Sequence, residues 1–462
     1  MTLLGVDVGT TGMKMGIFRE EKRDLTMLAG FSKTYPVHTY NDGLFSDIDP
    51  ALWQQAFIDG CRHLRDWIAE VEVLSFSGTT PGLTAMDREG NALYPAILML
   101  DQRSRKQAEH IIETVGWNTL IKVTGNMPVA GGCSLASILW IKDHHPEIFE
   151  KAYVFGHSNT YMARWLTGQF AIDPSSASLT ALYNTNENNL QWNEDIAGAF
   201  GLPVDRLPRV ISSHESTGRV VRKIALDLGL TREPAVVIGG NDAVLAAYSV
   251  GVQEPGEVIN VNGTSEITLV CLPECLSSKN YNVRTHVIPG RWLTLYVMNA
   301  GGTALEWFRT LFCSEMTADD FHCHFIPRSL DSWLERESGV TYVPYLMGSR
   351  YSLEPLKASF AGLTAETTRE ELLVALVRGL CHYQRGHLEE ISAQIPLAGE
   401  IHVTGGAVSH GLIRAKKKWM RDCEYRHQEE SSMKGAALLG LKHLKEAGSM
   451  EHGAKSKSTR PS

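Results

Sequence analysis

A strand, a Gly-Thr tip and a returning strand occur twice in this chain, and that repetition constrains the fold more than any other feature. The first copy is Leu3-Leu4-Gly5-Val6-Asp7-Val8-Gly9-Thr10-Thr11-Gly12-Met13-Lys14-Met15-Gly16-Ile17-Phe18. The second is Val258-Ile259-Asn260-Val261-Asn262-Gly263-Thr264-Ser265-Glu266-Ile267-Thr268-Leu269-Val270. Aliphatic and β-branched runs closing on a tight glycine-containing tip predict a β-hairpin in each place. Glycine lets the backbone approach a bulky anion, and threonine hydroxyls with successive N–H groups can hydrogen-bond phosphate oxygens. Either hairpin alone reads more readily as an ordinary surface turn. The pair, in two similar half-chains, suggests two similar domains that grip a nucleotide's phosphate tail from both sides of a cleft.

A chain of 462 residues is long enough for two or three domains, each with its own core. A formal net charge of -8 leaves no basic footprint for nucleic acid. No run of about 18 uncharged apolar residues occurs, so no membrane span is expected. The first residues enter a strand directly, which leaves no room for a signal peptide. Eight cysteines without a C-x-x-C pair favour reduced thiols and a cytoplasmic protein. His322-Cys323-His324 has no second ligand cluster and reads as a packed or solvated segment.

Strands alternate with helices in both halves, which argues for α/β layers. Helices are expected over 49–70, opened by Asp-Pro, and over 105–115, 135–142, 161–166, 303–312, 369–394, 412–422 and 432–446. Strands are expected at 71–77, 83–86, 96–100, 235–239, 293–298 and 400–404. The boundary falls at the strand beginning with Ala235, giving domains 1–236 and 237–448, with a polar, Lys/Ser-rich tail over 449–462 expected to be disordered. Lys416-Lys417-Lys418 reads as a solvated helix face, with nucleotide contact as the minority reading.

Four places carry chemistry. No G-x-x-x-x-G-K-[ST] motif exists, and Gly9-Thr10-Thr11-Gly12 lacks dinucleotide-fold spacing, so the paired hairpins must handle phosphate. Asp7 ends a buried-type strand just before the first tip. It can hold magnesium beside phosphates, or cap its own turn. Asp242 follows Gly239-Gly240-Asn241 and opens a small-residue helix. A carboxylate at a helix N-terminus stays ionised and can accept a hydroxyl proton, although Asp is equally a common N-cap there. Gly405-Gly406 again follows a strand and precedes a helix, which is weak evidence alone for a flat base or ribose lying against bare backbone.

Asp7-Val8-Gly9-Thr10-Thr11, Gly239-Gly240-Asn241-Asp242, Gly263-Thr264-Ser265, Val403-Thr404-Gly405-Gly406-Ala407 and Gly435-Ala436-Ala437 occur in the order of the FGGY carbohydrate kinases, which the chain resembles from about Leu3 to Leu444. The resemblance implies a two-domain actin-like ATPase fold of ribonuclease-H-like cores with an interdomain cleft, and ATP with Mg2+ as cosubstrate. It implies Asp242 as the catalytic base, Asp7 as the metal-holding residue, and Thr10, Thr11, Lys14, Gly263, Thr264, Gly405, Gly406 and Ser409 as ATP contacts. Thr79, Thr80, Asp101, Arg103 and Asn241, with Asp242, stand where relatives contact the sugar. The implied partner is a small sugar or polyol, with a ketopentose such as xylulose first and an autoinducer-2-like compound, erythritol, ribulose or gluconate as alternatives. A homodimer is an assembly open to such a chain. A sugar-binding or actin/Hsp70-like ATPase without kinase activity is the rival class, against which Asp242 argues. Departures gather in the sugar pocket: Thr80-Pro81-Gly82 replaces Met-His-Gly or Arg-Glu-Thr, and Met99 stands where a tryptophan is common.

Overall fold

Two six-stranded sheets that share a five-strand core and carry their sixth strand on opposite edges organise the computed structural model of the chain, in which residues 1–22, 24–349, 351, 356–406, 409–428 and 431–458 are described, with 450–458 as backbone only. The first sheet comprises β1 (Thr2–Val8), β2 (Gly12–Glu21), β3 (Asp24–Thr34), β4 (Val73–Gly78), β5 (Ser216–Arg219) and β6 (Ala235–Asn241), in the order β5-β6-β4-β1-β2-β3. The second comprises β7 (Val258–Asn262), β8 (Glu266–Leu272), β9 (Asn282–Thr285), β10 (Trp292–Met298), β11 (Glu400–Thr404) and β12 (Glu424–His427), in the order β9-β10-β8-β7-β11-β12. In each, a central strand pairs antiparallel with its hairpin partner and parallel with a strand from farther along the chain: β1 with β2 and β4, β7 with β8 and β11. The duplicated hairpin is thus the seed of a duplicated sheet.

Central parallel strands must be covered on both faces, and β1 and β4 are buried almost throughout. Alternation sends Leu4 and Val6 into a core with Trp53, Phe57 and Met162, from helices 51–63 and 158–167. Leu3 and Val73 face the opposite core with Leu245 and Ala436, from α1 (Asp242–Ser249) and the last helix. Between β10 and β11 in sequence lie α2 (Gly302–Phe312) and α3 (Arg369–Ser392), with α4 (His410–Trp419) after β11 and α5 (Ser432–Ser458) after β12. A five-stranded sheet with helices over 105–115 and 134–144 forms a separate core on the first half. Among the described residues no helix is long and apolar enough to cross a membrane.

Three sequence expectations need correction. The helix expected over 49–70 divides into Ala51–His63 and Arg65–Ile68, because the turn at Leu64 buries Leu64 and Ile68 before the chain enters β4. The strand at which the halves were to divide, β6, lies wholly in the first sheet. The last helix does not end before Gly448. Its backbone continues helical to Ser458 through a stretch with no proline to stop it, and 459–462 lie outside the described residues.

Helix α5 comes from the second half yet packs on β1, β4 and α1 of the first. Glycines make the approach possible: a Cβ on Gly435 would lie 2.2 Å from the Leu245 carbonyl oxygen, and one on Gly5 would lie 2.2 Å from that of Met433. Gly435→Ala is therefore expected to cost about 1–3 kcal/mol through overpacking, read as a lowered urea midpoint. An unchanged midpoint would show that the helices can separate freely.

Candidate active site

At the carboxyl edge of the first sheet, register gathers residues distant in sequence. Asp7 on β1 pairs with Ser77 on β4, and Ser77 and Gly78 pair with Gly240 and Asn241 on β6. Ligand sites of parallel sheets lie at such an edge. A register shift between Val237 and Gly240 lifts the end of β6. It depends on Gly239, whose φ is +75° and whose Cβ, if present, would fall 1.6 Å from the Phe76 carbonyl oxygen. Beyond the bulge the chain turns directly into α1 at Asp242.

The Asp242 carboxylate is held by both oxygens. Oδ1 accepts from the Ala243 amide and from Asn241 Nδ2, each at 2.7 Å. Oδ2 accepts only the Thr79 hydroxyl, at 3.1 Å, among the described residues. Asn241 caps α1, its Oδ1 accepting from the amides of Ala243 and Val244. Its Nδ2 also donates to Thr80 Oγ1 at 3.0 Å, and Arg284 of β9 donates to that same hydroxyl at 2.9 Å.

Asp7 shares a strand face with Leu3 and Gly5, so it points toward the start of α5. Ser77 donates to its Oδ1 at 2.7 Å, and the nearby Ser432 hydroxyl also favours its charged form. Burial first, then the negative charge of Asp242, push the Asp7 carboxyl from 3.8 up to about 6. Those two hydroxyls and Lys14, its cross-strand neighbour, act in the opposite direction. Two carboxyl groups thus stand together at a half-open edge beside the exposed Thr11 and partly exposed Thr10 of the first tip.

The second tip is exposed at Gly263 and Thr264 and is seated on the start of α2. Gly302 N donates to the Gly263 carbonyl at 2.9 Å and Thr303 N to that of Thr264 at 3.1 Å. Gly405, at φ +101°, lets β11 end against Asn262, because a Cβ would lie 2.1 Å from the Asn262 carbonyl oxygen. Gly406 presents open backbone, while Ser409 caps α4 by accepting from the Leu412 amide. Ala407 of the sequence motif lies outside the described residues. A cavity of about 30 Å³ opens beside Gly263 between α2, α3 and α4, with Leu305, Leu380 and Leu412 in its wall and Glu266 and Lys416 at its edge.

Several expected roles change. Asp101 and Arg103 are turned away into a buried ion-pair network. Arg103 bridges Asp47 at 2.8 Å and Asp101 at 2.7 Å among the rings of Phe45 and Trp140, and Asp101 also accepts the Ser46 amide. Their charges are consumed there, so neither joins the cluster. Thr80 and Asn241 are buried and fully engaged, acting behind Asp242, whereas Thr79 stands at the open side. Lys416 is not on a solvated face: it is 5% exposed and pairs with buried Glu266 at 2.6 Å. Ser77, Ser432, Arg284 and Gly301-Gly302 escaped the sequence reading. Only the last left a signal there, a further glycine pair between strand and helix.

Residues 2–249 match the FGGY family of carbohydrate kinases, N-terminal domain, and residues 258–442 match its C-terminal domain. The chain is 25% identical to a xylulose kinase of Staphylococcus xylosus over 446 residues, 95% of this chain and 90% of that protein. It is 26% identical to a gluconokinase of Bacillus subtilis, over 95% of this chain and 87% of that one. In fold it is similar to the xylulose kinase of Rhodospirillum rubrum, with a TM-score of 0.88 and 22% identity over 96% of this chain and 89% of that one. Plasmodium falciparum glycerol kinase with ADP gives a TM-score of 0.84 at 18% identity, over 96% and 90% of the two chains.

Ionising Asp7 costs the folded state more than the unfolded one, so the penalty is absent below about pH 4 and complete above about pH 6. Asp7→Asn should therefore stabilise the metal-free protein by roughly 1–3 kcal/mol near neutral pH and hardly at all near pH 4. Equal melting shifts at both pH values would contradict this. Lys416→Met leaves Glu266 buried and unpaired, so it should cost about 3–5 kcal/mol in denaturant unfolding, most of it recovered by adding Glu266→Gln.

Proposed function

The chain belongs to the FGGY family of carbohydrate kinases, and from that membership we propose that it transfers the terminal phosphoryl group of ATP to a hydroxyl of a ketopentose such as xylulose, with Asp242 as general base. The observation that carries this reading is the asymmetry of the Asp242 carboxylate. Oδ1 is saturated by two N–H donors, while Oδ2 has a single hydroxyl contact on the open side. Oδ2 is the atom to accept the substrate's hydroxyl proton, and Thr79 is the group a sugar hydroxyl would displace.

As the acceptor oxygen forms its bond to the terminal phosphorus, the bond from that phosphorus to the bridging oxygen breaks and ADP leaves. Most of the acceleration in such transfers comes from positioning and charge stabilisation. The hydroxyls of Thr10, Thr11 and Thr264, at the two tips, are suited to hold the phosphate oxygens, with Lys14 as a nearby cation. Closure of the cleft would exclude water, which otherwise competes as acceptor.

Asp7 fits a Mg2+ site. One carboxylate with phosphate oxygens and water suits this ion, and a carboxyl strained by burial and by the charge of Asp242 gains from a neighbouring divalent cation. When bound, the ion would neutralise phosphate charge. A cytoplasmic setting, where ATP is abundant, accompanies this reading.

Xylulose ranks first because relatives that carry that name align over nearly the whole chain. An aldonate ranks second on the gluconokinases of similar identity. A coupled ADP assay across pentuloses, hexuloses, polyols and aldonates should give the highest kcat/KM with xylulose. A strong preference for an aldonate would move the assignment, and sugar-independent ADP release would sink it. Asp242→Asn should lower kcat by about 10²–10⁴-fold with nucleotide affinity nearly unchanged. Near-normal turnover in that variant would remove Asp242 from its role.

A further inference from the structure

A single arginine from the second half anchors the hydrogen bonds that orient Asp242 in the first. Arg284 is 2% exposed and lies on β9, the edge strand of the second sheet. That strand is fixed against the first half on both sides of the arginine. The Asn126 side chain pairs with the N–H and carbonyl of Val283 at 2.9 and 2.7 Å, and Thr285 N donates to Ser178 Oγ at 3.2 Å. From this platform Arg284 Nη1 donates to Thr80 Oγ1 at 2.9 Å, with Nη2 3.5 Å from the Thr80 carbonyl oxygen.

The Thr80 hydroxyl also receives Asn241 Nδ2 at 3.0 Å, so both of its acceptor positions are filled by N–H groups from two different elements. Asn241 cannot turn over, because its Oδ1 is committed to capping α1. Its amide nitrogen is thereby aimed at Asp242 Oδ1, and the residue beside Thr80 on the same turn, Thr79, addresses Oδ2. One side-chain donor to the carboxylate thus comes from this turn and the other is bonded to it, and Arg284 holds the turn from the second half beside the backbone bond of the Thr79 N–H to the Val8 carbonyl.

We propose that Arg284 is a positioning residue for phosphoryl transfer, setting the orientation of the Asp242 carboxylate through Thr80 and Asn241. This deepens the assignment of Asp242 as base and rests on it. The arginine touches neither sugar nor nucleotide in this scheme, so its removal should slow chemistry and spare binding.

The test uses the full chain with Arg284→Met, Arg284→Lys, Thr80→Val and the Met/Val double variant, alongside Asp242→Asn. Arg284→Met and Thr80→Val are each expected to lower kcat about 30–100-fold while the KM values for ATP and sugar stay within about threefold. Because both cut the same chain of bonds, the double variant should fall no further than the worse single one. Arg284→Lys, which keeps one donor but not the forked reach, should recover part of the loss. Should Arg284→Met fail to fold, Thr80→Val and Arg284→Lys carry the same comparison. A kcat within about twofold of the parent for Arg284→Met, or a double variant showing the full product of the single losses, overturns the inference. If Asp242→Asn is inactive while the Arg284 variants turn over normally, the positioning role alone falls; if Asp242→Asn remains active, the base assignment falls with it.

Discussion

The parallel pairing of β1 with β4 and of β4 with β6 decides what can meet at the edge of the first sheet. Because side chains alternate along a strand, a slip of one residue would send Asp7 to the opposite face and bring Leu4 and Val6 toward α5. Register here is fixed from two sides, since both faces of β1 are buried against different helices. The bulge at Gly239 then shifts that register by one residue, so that Gly240 and Asn241 rejoin the ladder opposite Ser77 and Gly78 and Asp242 follows directly beyond its end. Regular pairing sets the position of Asp7, and a controlled irregularity sets that of Asp242.

The two halves use the same ladder pattern for different chemistry. In the first, hydroxyls and carboxylates occupy the edge, with charge left partly accessible. In the second, the corresponding region is lined by glycine backbone and an apolar wall, and its charged pair, Glu266 with Lys416, is withdrawn into the domain. Glu266 also accepts from Asn260, whose amide donates as well to Thr268, and Thr268 in turn donates to Gln384 of α3. Buried polar groups are tolerable only when such a network satisfies them. The network ties β7, β8, α3 and α4 into one unit behind the second tip.

What could be read from the amino acids follows a physical line. Both hairpins, the strand–glycine–helix turns and most helices were legible, because period-two alternation, glycine at tight tips and 3.6-residue periodicity are local signals. Charged residues whose partners lie far away were misread. Arg103 and Asp101 look like cleft residues until Asp47 and the rings of Phe45 and Trp140 close around them. Three consecutive lysines suggest a solvated face, yet neighbours on a helix point about 100° apart, so one of the three can turn inward. Lys416 does, toward Glu266 on β8. Arg284 had no local signature at all: its importance comes from which turn it reaches.

Helix α5 has a consequence for how the molecule is made. It covers the first sheet with residues far along the chain: Lys445 pairs with Glu20 across 425 positions of sequence. Until a ribosome has delivered that helix, the face of β1 bearing Leu3, Gly5 and Asp7 lacks its cover, and the nascent first half carries an open apolar surface. The cover of the first sheet thus comes from beyond the second in sequence, so a fragment cut at the boundary between the halves would leave that face of the first sheet without α5.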